Sequence, residues 1–442
     1  MGQRVTRMLL AEVRLWGRRI GAVGWDQARQ CASFEYAPEF VGSGIEVAPF
    51  TMPLARPIYR FPALSTTSFK GLPGLLADSL PDDFGNALIN AWLARQGRSA
   101  ASFTPIERLC YTGSRGTGAL EYLPAFGGVE APSETLDLQA LVQLASDILR
   151  QRQQLELQFE PPESNNSLND ILRIGTSAGG ARAKAVIAWN PHTMEVRSGQ
   201  VKAGDGFEYW LLKFDGVSGN RDKELDDPQG FGQIEYAYYL MARAAGISMS
   251  ECRLLQESSR SHFMTRRFDR TPSGGKLHMQ TLGALAHFDY RQPGAHSYEQ
   301  VLLILRQLRM GMDSIEQLFR RMAFNVIARN QDDHVKNIAF LMNQAGHWSL
   351  APAHDVTYSY NPQGAWTGQH QMSLNGKRDG FSLADFTACA RACSMKKGRA
   401  EAIVDEVRAT VLQWPAFAAE AGVAAAMIQQ ISKAQRLQLA HS

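Results

Sequence analysis

The sequence predicts an α+β chain of two lobes with a cleft between them, preceded by a small β-rich module. Three observations lead there. The chain has 442 residues, more than one compact core usually takes. Strand-like patterns gather before Phe214, whereas helical period dominates after Arg270. Strands first and helices later separate into lobes, an order that neither a Greek-key sandwich nor a doubly wound sheet produces. Finally, Glu160 to Asn169 holds two prolines and three asparagines and reads as a linker. The expected division is 1–125 for the N-terminal module, 126–270 for a first, β-rich lobe and 271–442 for a helical lobe.

Taken in order, Val13 to Trp25 alternates around Gly17 and Gly21 like a hairpin, and short strands are expected across Phe34 to Ala55. From Leu75 the pattern turns helical. Pro81 and the pair Asp82-Asp83 are helix-start chemistry ahead of Leu88, Ile89, Trp92 and Leu93. A further helix is expected over Thr135 to Gln154. Strand–turn–strand patterns fill Arg173 to Phe214, with turns at Asn190-Pro191 and Gly204-Asp205-Gly206. Glu235 to Ala245 is helical and stops at Gly246. The clearest helix runs from Ile315 to Ala328, where Ile315, Leu318, Phe319, Met322, Ala323, Val326 and Ile327 share one face.

Composition narrows the partners. Hydrophobic residues are 45% and charged residues 20% of the chain, a soluble globular balance. A net charge of +3 gives no reason to expect a nucleic-acid-binding surface. Five scattered cysteines fit a reducing compartment; Cys389 and Cys393 stand four apart, but no further ligand completes a metal set. No signal-peptide pattern and no 18-residue apolar run occur, so a cytoplasmic chain without membrane association is expected. Met1 to Thr6 fits a myristoylation pattern short enough to arise by chance.

The chemistry concentrates in Asp332-Asp333-His334-Val335-Lys336-Asn337, directly after the amphipathic helix. The apolar run Ile338 to Met342, a turn at Asn343 to Gly346, Trp348, Leu350 and then His354-Asp355 follow. An Asp with an Asn five residues on has the protein-kinase spacing D-x-x-x-x-N. In that scheme Asp332 takes the acceptor hydroxyl's proton, Asn337 and Asp355 offer oxygens to Mg²⁺, and Lys336 neutralises charge on the γ-phosphate. Alone, such a pair is as readily two solvated loop residues. Its weight comes from the other parts standing in order.

Lys213 lies in the apolar run Trp210 to Phe214, placed either to reach nucleotide phosphates or to face water from an edge strand. Glu235 either aims Lys213 as an ion-pair partner or complements a helix dipole. Ile174 to Lys184 is rich in small residues that let backbone N–H groups approach phosphates, and also reads as a plain hairpin turn.

These segments resemble the HipA family of type II toxins. Ser177 to Lys184 is similar to that family's S-x-A-G-A-Q-x-K phosphate loop, Trp210 to Phe214 to its strand lysine, and Thr265 to Arg270 to its E-R-F-D-R hinge. Asp332 to Asn337 is similar to D-G-H-A-K-N, and His354-Asp355-Val356 to Y-D-I. In the first 125 residues, Gly71-Leu72-Pro73, Ala77 to Asp82 and Gly116 to Leu120 resemble the family's N-terminal module.

The resemblance implies a two-lobed protein-kinase-like fold and an ATP-dependent Ser/Thr kinase acting on an aminoacyl-tRNA synthetase. It also implies a helix-turn-helix HipB-type antitoxin, with DNA approached only through that partner, and autophosphorylation at Ser177. The nucleotide contacts it implies are Ser177, Ala178, Gly179, Gly180, Ala181, Lys184, Lys213, Glu235, Arg266, Arg267, Phe268, His334 and Asn337. Three positions depart from the pattern. Arg182 replaces a glutamine and bears on how the loop holds phosphate, Arg266 replaces an acidic residue, and Asp333 replaces a glycine. Asp333 either raises the pKa of Asp332 by like-charge repulsion or points to solvent. The rival readings are a metal-dependent phosphohydrolase, with His354-Asp355, His334 and Asp332 at a metal, and a non-catalytic nucleotide-binding repressor scaffold.

Overall fold

The computed structural model describes residues 10–125, 136, 139, 141–143, 145–146, 182–200, 203–217, 230–257, 260–271 and 273–440. The helix expected over 135–154, the linker over 160–169 and the loop residues Ser177 to Ala181 lie wholly or largely outside this set.

The N-terminal module is an antiparallel sheet in the order β4-β3-β2-β1-β5, with β1 Leu10–Leu15, β2 Arg18–Asp26, β3 Cys31–Tyr36, β4 Tyr59–Arg60 and β5 Leu120–Leu123. The expected hairpin forms. Its turn is at Trp16 and Gly17, both with positive φ, while Gly21 sits within β2 where a Cβ would run into the Glu35 carbonyl. The strands expected across Phe34 to Ala55 shrink to β3. Pro38 at a first helical position opens the short α1, Pro38–Val41, instead. Four further helices lie in this region, α2 Thr66–Phe69, α3 Gly74–Ala77, α4 Asp83–Arg95 and α5 Pro105–Thr112. Asp82 caps α4, accepting the Gly85 N–H at 2.7 Å, and Thr104 with Glu107 closes a capping box on α5.

The first lobe carries a second antiparallel sheet, order β7-β6-β8-β10-β9, from β6 Lys184–Trp189, β7 Val196–Ser198, β8 Glu208–Lys213, β9 Cys252–Glu257 and β10 Arg260–Arg266. Helix α6, Phe231–Ala244, packs on β9 and β10 and ends before Gly246 at φ 80°. The second lobe is helical: α7 Leu282–Ala286, α8 Tyr298–Gln307, α9 Met312–Ile327, α10 Leu383–Ala392, α11 Arg399–Val411, α12 Trp414–Glu420 and α13 Ala425–Ala434. A three-stranded sheet, β11 His278–Thr281, β12 Ala339–Met342 and β13 Trp348–Leu350, lies between lobe and module. β12 and β13 form the hairpin expected from the sequence; β11 carried no strand signal.

The α+β, two-lobed, protein-kinase-like architecture read from the sequence is the one observed. The cores are not confined to one segment each. Phe84, Ala87 and Leu88 of α4 share a core with Ala185, Ile187, Trp210 and Leu212 of the first-lobe sheet, and Met342 of β12 joins the module's own core. The module therefore covers one face of the sheet that carries Lys213. Cys389 and Cys393 are packed thiols of the helical lobe's core.

Candidate active site

Lys213 is the last residue of β8, paired across the sheet with Lys184 of β6 and Phe263 of β10. Its Nζ lies 2.5 Å from Glu235 Oε1 and 2.5 Å from Asp355 Oδ1. Burial alone would depress this ammonium, but Asp355 and Glu235 outweigh it and hold the group above its ordinary value. Asp355 is held well below the usual carboxylate range: the Lys213 charge, helped by His354 and Lys184, overcomes the penalty of burial. The Asp355 backbone is left-handed, φ 52°, a conformation Asp adopts more readily than most residues.

Glu235 lies in the second turn of α6, because the helix begins at Phe231, earlier than the sequence pattern indicated. It is too far along to serve the helix dipole, and its Oε1 is engaged by Lys213. Arg182 adds a longer contact, Nη1 to Glu235 Oε2 at 3.6 Å, and lies 4.2 Å over the Phe231 ring. Asp215, two residues after Lys213, accepts the Gly230 N–H at 3.0 Å and so ties the start of α6 to the end of β8. One short stretch of chain thus fixes both partners of the ion pair.

The module reaches this cluster. Lys184, 2% exposed, sits 3.4 Å from Asp82 Oδ2. Burial lifts the Asp82 carboxyl to about 7 and lowers the Lys184 ammonium, each only partly offset by the other's charge. Burial likewise raises the Asp78 carboxyl, against the pull of Lys336 and His354. Asp78 accepts from Thr281 N–H at 2.7 Å and Thr281 Oγ1 at 2.9 Å.

Asp332 sits on the loop after α9. Its Oδ1 accepts the Trp366 indole N–H at 2.8 Å, and its carbonyl accepts Asn337 Nδ2 at 2.7 Å. That bond fixes the Asn337 amide with Oδ1 outward, and neither Asn337 Oδ1 nor Asp355 Oδ2 has a partner among the described residues. Asn337 and His354, next to Asp355, line one small cavity of about 30 Å³. One neutral and one charged oxygen donor, both uncommitted, fit a hard divalent cation completed by water and phosphate oxygens. Lys336 Nζ lies 4.7 Å over the Tyr290 ring. His334 stands on the Asp332 side, Nε2 3.8 Å from Oδ1, with its ring 5.5 Å from that of Tyr290.

One expectation is corrected. Asp333 neither faces solvent nor points at Asp332: it is buried and accepts from Tyr298 Oη at 2.6 Å, His370 Nδ1 at 2.9 Å and Gln371 N–H at 2.8 Å. In the hinge segment the backbone N–H groups of Arg266 and Arg267 are taken up by the sheet. The sheet register runs on through them, so Arg266 N–H donates to Glu251 O at 2.8 Å and Arg267 N–H to Tyr209 O at 2.9 Å. The Arg266 side chain lies between Glu208 and Glu251, and that of Arg267 is buried on Asp269. The Phe268 ring lies 5.5 Å from the His354 ring, tilted to it at 47°. His354 is half-buried against that ring while Asp355 turns to Lys213, so the two members of the His-Asp pair serve different neighbours.

The structure thus brings together Lys184, Lys213, Glu235 and Asp355, and beside them Asp332, Lys336, Asn337 and His334. Ser177, Ala178, Gly179, Gly180 and Ala181 lie outside the described residues. Sequence reasoning took Asp82 only for a helix start and missed Trp366, whose contact spans 34 residues with no local pattern to mark it.

The HipA-like C-terminal domain model matches residues 176–414, more than half of the chain, and the HipA N-terminal domain model matches residues 11–123. The chain belongs to the HipA family. No curated protein matches it. Among solved structures it is similar to HipA of Shewanella oneidensis MR-1, solved with HipB and operator DNA, at 15% identity and a TM-score of 0.66 over 96% of this chain and 95% of that one. A likeness at that identity establishes a shared HipA fold. The Helicobacter pylori proinflammatory kinase CtkA matches 55% of this chain and 92% of its own at 12% identity and a TM-score of 0.31. Among the described residues of this HipA-family chain, no helix is long and apolar enough to cross a membrane.

Proposed function

We propose that this HipA-family chain is an ATP-dependent serine/threonine protein kinase of a toxin–antitoxin pair. The observation that carries the reading is Lys213 joined at 2.5 Å to both Glu235 and Asp355, opposite a loop that fixes Asp332 and Asn337. This is the constellation phosphoryl transfer requires: a strand lysine aimed by a helix glutamate, a carboxylate to meet the acceptor proton, and two oxygen ligands for metal.

In the proposed reaction Lys213 and Lys184 hold the phosphates. The acceptor hydroxyl oxygen forms a bond to the γ-phosphorus, the bond to the β–γ bridging oxygen breaks, and ADP leaves with that electron pair. Asp332 Oδ2 takes the hydroxyl proton. Asn337 and Asp355 would hold Mg²⁺, which when bound neutralises charge on the β- and γ-phosphates. Lys336, on the acceptor side over Tyr290, stabilises the transferring group.

Family membership supports the finer reading: an aminoacyl-tRNA synthetase as substrate in the cytoplasm, a HipB-type antitoxin as partner, and Ser177 as an autophosphorylation site. Phosphate at Ser177, of about −1.5 to −2 charge, would repel ATP from the loop. The test is phosphoproteomics with wild type beside Asp332→Asn, backed by transfer from γ-labelled ATP. Synthetase and Ser177 phosphosites are expected with the wild type alone, the rate in the variant falling by about 10²–10⁴-fold. Identical phosphopeptide maps would refute the kinase assignment.

A further inference from the structure

We propose that Trp366 is the positioning residue of Asp332, held in place by a buried side-chain chain that runs from Asp333 through His370 to Arg436 in the C-terminal segment. The role rests on the kinase reading above and adds to it the device that fixes which carboxylate oxygen meets the acceptor hydroxyl.

Asp332 is gripped on three sides. Ser359 Oγ lies 3.2 Å from its amide nitrogen, Asn337 Nδ2 holds its carbonyl, and the Trp366 indole N–H donates to Oδ1 at 2.8 Å. Oδ2 has no partner among the described residues. A directed donor on one oxygen stops the carboxylate from rotating and leaves the other as the proton acceptor. An aromatic ring is stiffer than an aliphatic donor, so the indole specifies the plane as well as the bond.

The segment bearing Trp366 forms neither helix nor strand, so side chains must place it. Gln331 Nε2 donates to Thr367 O at 3.0 Å, and Gln371 Nε2 bridges Gln331 O at 3.2 Å and Trp366 O at 2.5 Å. Asp333 receives the Gln371 N–H and the His370 ring. Arg436 Nη1 lies 2.9 Å from His370 Nε2. A ring that donates from Nδ1 to Asp333 and accepts at Nε2 from Arg436 satisfies both neighbours, and Arg436 is anchored on α9 by Val326 O and Ile327 O. The Asp333 carboxylate is therefore the inner end of a brace. These bonds tie the catalytic loop, the segment 366–371 and the C-terminal segment together.

The experiment compares wild type with Trp366→Phe, which keeps a ring and removes the donor. Transfer to protein is expected to lose about tenfold in kcat, as for one hydrogen bond to a charged group, with the KM for ATP and the melting temperature unchanged. Wild-type kcat, or a joint fall of kcat, ATP affinity and melting temperature, overturns the role. A second readout needs no activity. The Trp366 indole N–H resonance, assigned by its absence from Trp366→Phe, should move upfield in Asp332→Ala, and an unmoved resonance overturns the contact. A wild-type chain that transfers no phosphate to any protein overturns the kinase reading and with it the role, while the resonance still reports whether the contact exists.

Discussion

Lys213 is the residue on which the cleft turns. It is one cation between two carboxylates, one of them, Glu235, only 2% exposed. Lys213→Met would leave both acids without their main counter-charge. We expect phosphate transfer to vanish and stability to fall by about 3 kcal/mol, read from urea unfolding, with Arg182 softening the loss at Glu235. An activity loss without any stability change would mean that the pairs contribute nothing to the fold. At this scale the sequence was informative where residue type and order suffice: Lys213, Glu235, Asp332, Asn337 and Asp355 are each chemically distinctive and stand in a known succession. It was silent where the role depends on what arrives from elsewhere. Asp333 looked like a charge beside a charge, yet Tyr298, His370 and Gln371, far along the chain, turn it into a buried acceptor.

The elements show why the pieces meet. Asp215 ties α6 to β8, so the lysine and glutamate that pair are delivered by two adjoining termini. Helix α7 meets α3 of the N-terminal module at both its ends: beside the Thr281–Asp78 bonds, Gly74 N–H donates to His287 Nε2 at 2.9 Å. Position 74 tolerates no larger residue, because a Cβ there would run into the Ala284 carbonyl. Burial lowers the His287 pKa from 6.5 to about 4, so the folded chain binds fewer protons than the unfolded one between those values. Its contribution is fully present above pH 6.5 and is lost as pH falls from there toward 4, by up to about 3 kcal/mol. Melting temperatures from pH 7 to pH 4 should fall more steeply for wild type than for His287→Gln; parallel curves would exclude His287 as the source. The sequence announced the helices around this contact by their periodicity, but a hydrogen bond between elements 213 residues apart leaves no local trace.

For the molecule as a whole, the junction of three parts rests on Asp269. Its carboxylate accepts from Arg267 and Arg270 at 2.7 Å each and from the Gly118 N–H at 2.7 Å, while both arginines also reach the Gly116 carbonyl. Burial opposes the charge, but the two guanidiniums hold this carboxyl well below its ordinary range, so its contribution is present above the unfolded value of 3.8 and is lost as pH falls below it. Asp269→Asn leaves two guanidiniums buried with half their acceptor, and global unfolding free energy should drop by about 3–5 kcal/mol in a single cooperative transition. A loss confined to an early partial transition of the N-terminal module would show that the cluster is local instead. The two-lobed plan itself was legible from the succession of strand and helix patterns. The docking of the module was not, since the apolar face of α4 signals burial without saying against what. That face, Phe84, Ala87 and Leu88, closes over strands encoded about a hundred residues later. Anyone grafting this module onto a foreign catalytic body would therefore be cutting through a continuous interior; a working chimaera must bring matching strand faces along with the helix, or accept an open hydrophobic wound on both halves.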